Sequence, residues 1–303
     1  MITTHLGEFA ALLTAVFWTF TALAFTDAGN RIGSLAVNFW RLIVGMLLLT
    51  AFVWIYYGVP IPKDIPSDAF MWLALSGFVG IFLGDLFLFK AFVITGPRVA
   101  LLIMSLSPPL AAFISWIAMG ELLTYWDLFG MILTITGIMI VILKGHKAEG
   151  QNMRFALRHS SKGIFYAVLG AIGQASGLVM SKLGVLQAHN AFSATQIRVA
   201  AGIVGFVILI TVLRRWTPVM QSLKNKRALV SLTVGSFFGP FLGISFSLIA
   251  VSYTNPGIVQ TIVSINPILI IPFSVWFFKE KITWRELIGA IIAVGGVMVF
   301  FIS

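Results

Sequence analysis

The sequence predicts an all-α integral membrane fold, with ten transmembrane helices built as two inverted five-helix repeats. Three observations carry this: a strong apolar bias, ten apolar runs of spanning length, and a chain that repeats itself. Of 303 residues, 59% are hydrophobic and 10% charged, and the mean hydropathy is +1.01, whereas soluble domains are about one quarter charged. A hydrocarbon layer about 30 Å thick needs about 20 apolar residues at about 1.5 Å per residue. Such runs fall at 7–27, 33–57, 68–91, 97–118, 125–143, 162–186, 190–213, 227–251, 256–278 and 284–301. They lack the regular alternation of barrel strands, so helices are expected.

Short connections leave no room for a soluble domain, so the work of the chain is expected within the bilayer. The first run begins almost at Met1 without a basic leader or a clear cleavage site, and is expected to remain as the first helix. There is no cysteine, and His5, His146, His159 and His189 fall in loops or at segment ends. Neither a thiolate chemistry nor a buried metal centre is expected, and no cofactor is implied. The net charge of +10 does not call for nucleic acid, because basic residues in a membrane protein usually mark cytoplasmic loops. The loops after helices one, three, five, seven and nine carry Arg31, Arg98, Lys144, Lys147, Arg154, Arg158, Arg214, Arg215, Lys224, Lys226, Arg227, Lys279 and Lys281 among others; the alternate loops hold Lys63 and Lys182. That bias puts both termini outside the cell.

Shifting the chain by 159 positions lays residues 82–142 on 241–301 with about 19 of 61 identities. Gly84/Gly243, Pro97/Pro256, Ser105/Ser264, Pro108/Pro267, Glu121/Glu280 and Gly137/Gly296 are among them, too many landmarks for shared hydrophobicity, and an internal duplication follows. The earlier helices pair at a slightly shorter offset, Gly7 with Gly163, Trp18 with Gln174 and Arg41 with Arg198. The repeats are 1–145 and 162–303, joined by a basic linker at 146–161. Five helices per repeat is an odd number, so the second copy enters the bilayer inverted, as in secondary transporters.

GDLFLFKAFVITGP with its downstream SLSP and GELLT, echoed by NPGIVQTIVSINP and KEKIT, resembles the EamA-type members of the drug/metabolite transporter superfamily over nearly the whole chain. The resemblance implies a monomer, a central cavity between the inverted repeats, and outward movement of small metabolites, commonly amino acids or their relatives. Related carriers are often drawn with both termini in the cytoplasm, opposite to the loop charges here. The smaller four-helix drug exporters of the superfamily use a glutamate midway along helix one; here Glu8 stands at the start of that helix, so that coupling is not carried over.

Pro108 lies 11 residues past Pro97, and Pro267 11 past Pro256, about 16 Å at helical rise and near the midplane. Each proline removes an N–H and displaces a carbonyl four residues back. An ordinary kink is one reading; the other, favoured by Ser105/Ser264 and Ser107/Asn266 beside the prolines, is a cavity lining. Trp18 and Gln174 sit at the same depth, with Gln174 facing either a wet pocket or a neighbouring helix, and Gln260 and Gln196 are weaker candidates of that kind. Arg41 and Asp85 lie within the membrane on the same side, so an ion pair is expected, as a structural latch or a moving gate. Arg198 keeps the Arg41 position while Asp85 becomes Ile244; Arg198 either snorkels to the interface or meets an anionic group of the substrate. Lys90 and Lys182 are expected to snorkel, and Glu121 and Glu280 to act as turn or cap residues.

No GxxxxGK[ST] loop is present, so transport would run on a gradient, by alternating access, with a coupling ion or an exchanged metabolite as partner. Drugs or phosphorylated metabolites are the alternative cargo. An embedded enzyme has only Asp85 as a well-placed acid, and a channel fits inverted repeats less well. The loop charges make a testable topology: a reporter fused to Ser303 should mature outside the cytoplasm, and maturation only inside overturns the orientation.

Overall fold

A computed structural model of the chain describes residues 5–62, 65–95, 103–104, 106–143, 161–188, 190–266, 268–269 and 284–300. Every regular element among them is helical. Helices α1 (Leu6–Ile32) and α2 (Ser34–Tyr57) meet at Gly33, whose φ of +81° no β-carbon tolerates well, and α2 ends on a left-handed Gly58. The third span is α3 (Ser67–Ser76), a π-helical stretch π1 (Gly77–Gly84) and α4 (Asp85–Thr95). Next come α5 (Ser107–Met119) and α6 (Tyr125–Leu143).

In the second half, α7 (Ser161–Val185) and α8 (Ala191–Val212) are followed by a short α9 (Trp216–Gln221) within what the sequence suggested was a plain basic loop. Trp40 of α2 holds that segment by donating to the Val219 carbonyl at 3.0 Å. Then α10 (Lys226–Ser236), π2 (Phe237–Gly243) and α11 (Ile244–Tyr253) form another interrupted span, and α12 (Pro256–Val263) and α13 (Trp284–Val299) close the chain. Asparagines cap three of these helices: Asn190, Asn225 and Asn255 accept from the N–H groups of Ser193, Ala228 and Gly257.

Six stretches among the described residues are long and apolar enough to cross a bilayer: Leu6–Ile32, Ser34–Tyr57, Ser67–Leu88, Ser161–Val185, Ala191–Val212 and Lys226–Tyr253. Ser107–Met119, Tyr125–Ile140 and Leu287–Val299 are shorter apolar helices. The protein is therefore a multi-pass membrane protein. Its exposed large apolar side chains, such as Leu47, Ile55, Phe113 and Ile208, form the surface that lipid solvates.

A π-helix widens each turn by about one residue and leaves local backbone groups out of the ordinary ladder. Both π stretches fall at matching repeat positions, π1 ending at Gly84 and π2 at its mate Gly243. Pro240 inside π2 has no N–H, so one backbone donor is missing from that stretch. Glycine then allows close approach. A β-carbon on Gly77 would overlap the backbone of Arg198, and one on Gly177 would stand 2.5 Å from the α-carbon of Gly80. The third span is thus pressed directly onto α7 and α8.

Among the described residues of the fourth predicted span, the prolines stand at a helix start. Leu106 turns, its N–H bonding to the Ile103 carbonyl, and Pro108 and Pro109 occupy the first turn of α5. A missing N–H costs nothing there, since the first N–H groups of a helix have no partner anyway. Its mate breaks at the same level: α12 ends at Val263, and Ser264 and Ile265 form a turn. Ser105 and Pro267 lie outside the described residues.

Gly177→Leu should force α7 from π1 and destabilise the fold by about 1–3 kcal/mol. Gly295→Ala, with open space at the new β-carbon, should melt at the wild-type temperature or slightly above in the same detergent assay.

Candidate functional site

Four predicted side chains converge where π1 gives way to α4. Asp85 is the first residue after the π stretch. The Arg41 guanidinium of α2 pairs with Asp85 Oδ2, and Gln174 of α7 donates through Nε2 to Asp85 Oδ1 at 2.7 Å and to the Gly80 carbonyl at 3.4 Å. The Phe25 ring lies 5.7 Å from Arg41 Cζ, a further favourable partner for the cation. From α8, Arg198 reaches the same region. A β-carbon on Gly80 would be 3.7 Å from Arg198 Nη2, and among the described residues Asp85 forms its ion pair with Arg41 rather than Arg198.

Arg41 and Arg198 are only 3% and 5% exposed. Arg198 therefore does not snorkel; π1 and α8 pack so closely that its side chain stays among helices. Among the described residues its Nε has no partner, and the same is true of Arg41 Nε, Asn38 Oδ1 and Gln196 Oε1. All four atoms lie on α2 and α8, whose arginines are repeat mates. The Gln196 amide nitrogen is used structurally, donating to Thr50 Oγ1 and the Pro60 carbonyl at 3.1 and 3.0 Å.

The other predicted residues fall outside this cluster. Ser107 is fully buried and bonds the Ala171 carbonyl at 3.3 Å, tying α5 to α7. Pro108 is buried beside it. Ser264 returns its hydroxyl to the Gln260 carbonyl of its own helix at 2.7 Å, and Gln260 is half-buried. Asn266 accepts from Thr19 at 2.6 Å, and Trp18, one residue earlier on α1, lies against Gly243 of π2. Gln174 is thus drawn to Asp85, while its mate Trp18 faces an apolar wall.

A second polar cluster was not foreseen. Lys182 is 7% exposed and pairs with Glu121, so it does not snorkel; it also donates to the Thr254 carbonyl at 2.9 Å. Glu121 further accepts from Ser115 and Asn255 at 2.7 and 3.0 Å. It is more than a turn residue: it ties α5, α7 and the α11–α12 junction at one end of the bundle. Only the Glu121/Glu280 identity hinted at it, and Glu280 lies outside the described residues. Lys90 is exposed, its ammonium 5.4 Å from the Tyr166 ring centroid. Gly80 and Thr19 were also missed, one acting through a carbonyl and the other through a distant contact.

Known proteins resemble this chain along its length. The sequence profile of the EamA-like transporter family matches residues 5–143 and again 161–302. An uncharacterized transporter of Archaeoglobus fulgidus is 23% identical over 299 residues, covering 96% of each chain. Solute carrier family 35 member G1 of Homo sapiens is 26% identical over 193 residues, 62% of this chain and 50% of that protein. A solved structure described only as the crystal structure of a protein shares the fold, with a TM-score of 0.72 over 99% of this chain and 96% of its own at 16% identity.

The Arg41–Asp85 pair has a distinctive thermodynamic signature. Arg41→Met alone strands a carboxylate and should cost about 3–5 kcal/mol, whereas Arg41→Met with Asp85→Leu should recover most of the loss. A double-mutant cycle on detergent melts measures the coupling, and additive losses would show that the pair does not act as a unit.

Proposed function

The chain belongs to the EamA-like transporter family, and from that premise we propose that it is a secondary carrier that exports small metabolites, amino acids among them, by alternating access. In this reading ten transmembrane helices form two inverted five-helix repeats, 1–145 and 162–303, around a central substrate path. The carrier works as a monomer in the cytoplasmic membrane of a cell, with both termini outside and a coupling ion or counter-metabolite moving in exchange.

The observation that carries the reading is the pairing of spans across the two halves. The α3–π1–α4 span packs on α7, and α1 packs on the α10–π2–α11 span; α2 packs on α8, α5 on α12, and α6 on α13. Exchanging the halves converts this set of pairs into itself, the relation expected when one copy builds the gate at one face and the inverted copy the gate at the other. The breaks before α5 and after α12 support the same reading. Discontinuous spans expose backbone groups that hydrocarbon cannot satisfy, so they are tolerated against protein or water.

The polar cluster is the substrate or coupling site in this reading. Arg41, Asp85, Gln174 and Arg198 come from four different spans, so a shift between the halves changes their distances. Trp18, Ser107, Pro108, Gln260, Ser264 and Asn266, with Ser105 and Pro267, complete the path as proposed lining.

Reconstituted vesicles loaded with one amino acid should take up its labelled form by saturable counterflow, across a panel of amino acids, with at least one substrate found. Gln174→Ala should reduce the rate at least tenfold, a loss of about 1.4 kcal/mol in transition-state stabilisation. Flux that stays linear with concentration would identify a channel instead.

A further inference from the structure

The polar cluster does not balance its charge. Arg41 and Arg198 contribute two positive charges and Asp85 one negative, a net charge of +1. Both oxygens of Asp85 are engaged, Oδ2 by Arg41 and Oδ1 by Gln174. Arg198, at 5% exposure, makes no hydrogen bond and no ion pair among the described residues, and its Nε is buried without a partner. Three other acids are engaged elsewhere: Glu121 is held by Lys182, Asp27 by Arg31, and Asp127 caps the Thr124 turn. Gly80 keeps a side chain away from the space before Arg198 Nη2.

A buried, unpaired guanidinium is strongly unfavourable, and a site that retains one is set to receive an anion. We propose that the substrate is an organic monoanion whose carboxylate is taken by Arg198. This deepens the carrier reading above and rests on it. The planar guanidinium presents parallel N–H groups matched to a carboxylate. A ligand of charge −1 brings the cluster to neutrality, whereas a zwitterion carries its own cation and leaves the excess charge in place. Among amino acids this selects those with a second carboxylate; outside them it selects simple carboxylic acids.

The test is ligand-dependent thermal unfolding of the purified full chain at fixed ionic strength, with acetate, lactate, benzoate and glutamate each compared with its neutral amide. At least one anion should stabilise saturably while its amide does not. In Arg198→Gln the concentration for half-maximal stabilisation should rise roughly tenfold or more, and Arg198→Lys should retain part of the effect. The unliganded Arg198→Gln protein should melt at or above the wild type, because an uncompensated charge has been removed; a purely structural arginine would do the opposite. No stabilisation of the wild type by any of the four anions, an unchanged shift in Arg198→Gln, or a much lower unliganded melting point overturns the proposal. Saturable counterflow of neutral or zwitterionic solutes without any anion effect removes this proposal and leaves the carrier. Anion stabilisation lost in Arg198→Gln, together with linear flux, keeps the anion site and removes the carrier.

Discussion

The contact of one span's backbone with two neighbouring helices is the constraint on which the rest depends. Gly77 lies against the backbone of Arg198, Gly80 against Gly177, and Gly84 against Gly173 and Gln174. In a bilayer the surrounding lipid is as apolar as the side chains, so helices are held by close packing and by polar contacts rather than by expulsion of water. Glycines at this spacing bring the spans close enough for short side chains to meet. Because π1 widens the turn just before Asp85, the carboxylate is presented to Arg41 and Gln174 together. A larger residue at any of these glycines would separate the groups that make the site.

The two halves share a shape and differ in chemistry. Arginine is kept at 41 and 198, glycine at 84 and 243, and π geometry at both places. The acid exists only once, since Ile244 replaces Asp85, and Gln174 is matched by Trp18. On the α7 side Gly173 and Gly177 permit backbone contact. On the α1 side Phe17 packs against Phe238 at 6.1 Å and Phe246 at 5.3 Å between ring centroids. One interface is therefore built on glycine backbone contacts, the other is filled in part by aromatic rings.

The broken spans and the end cluster fix how the helices of the bundle begin and where they are tied together. Pro108 and Pro109 begin α5 rather than distort it, and Asn255 with Pro256 begins α12. Short helices that start on these caps can turn as units without losing an internal ladder. At one end, Glu121 and Lys182 hold α5, α7 and the α11–α12 junction together. An ion pair partly shielded from water is stronger than one in open solvent.

Much of the plan was legible in the sequence. Apolar length gave the six stretches long enough to cross a bilayer among the described residues, because bilayer thickness fixes how many residues a helix needs. The 159-residue echo located the matching prolines and glycines, and the cost of burying charge linked Arg41 with Asp85 at a separation of 44 positions. What periodicity could not reveal was rotation and approach. A one-residue widening at Gly77–Gly84 leaves hydrophobicity unchanged, yet it decides which face Asp85 presents. Proline announces that a ladder is interrupted, but whether it kinks a helix or starts one depends on the turn at Leu106. Nor did the sequence bring Lys182 to Glu121, or turn Arg198 inward instead of toward the interface. Those outcomes belong to tertiary structure, because they are set by distances between helices that only packing fixes.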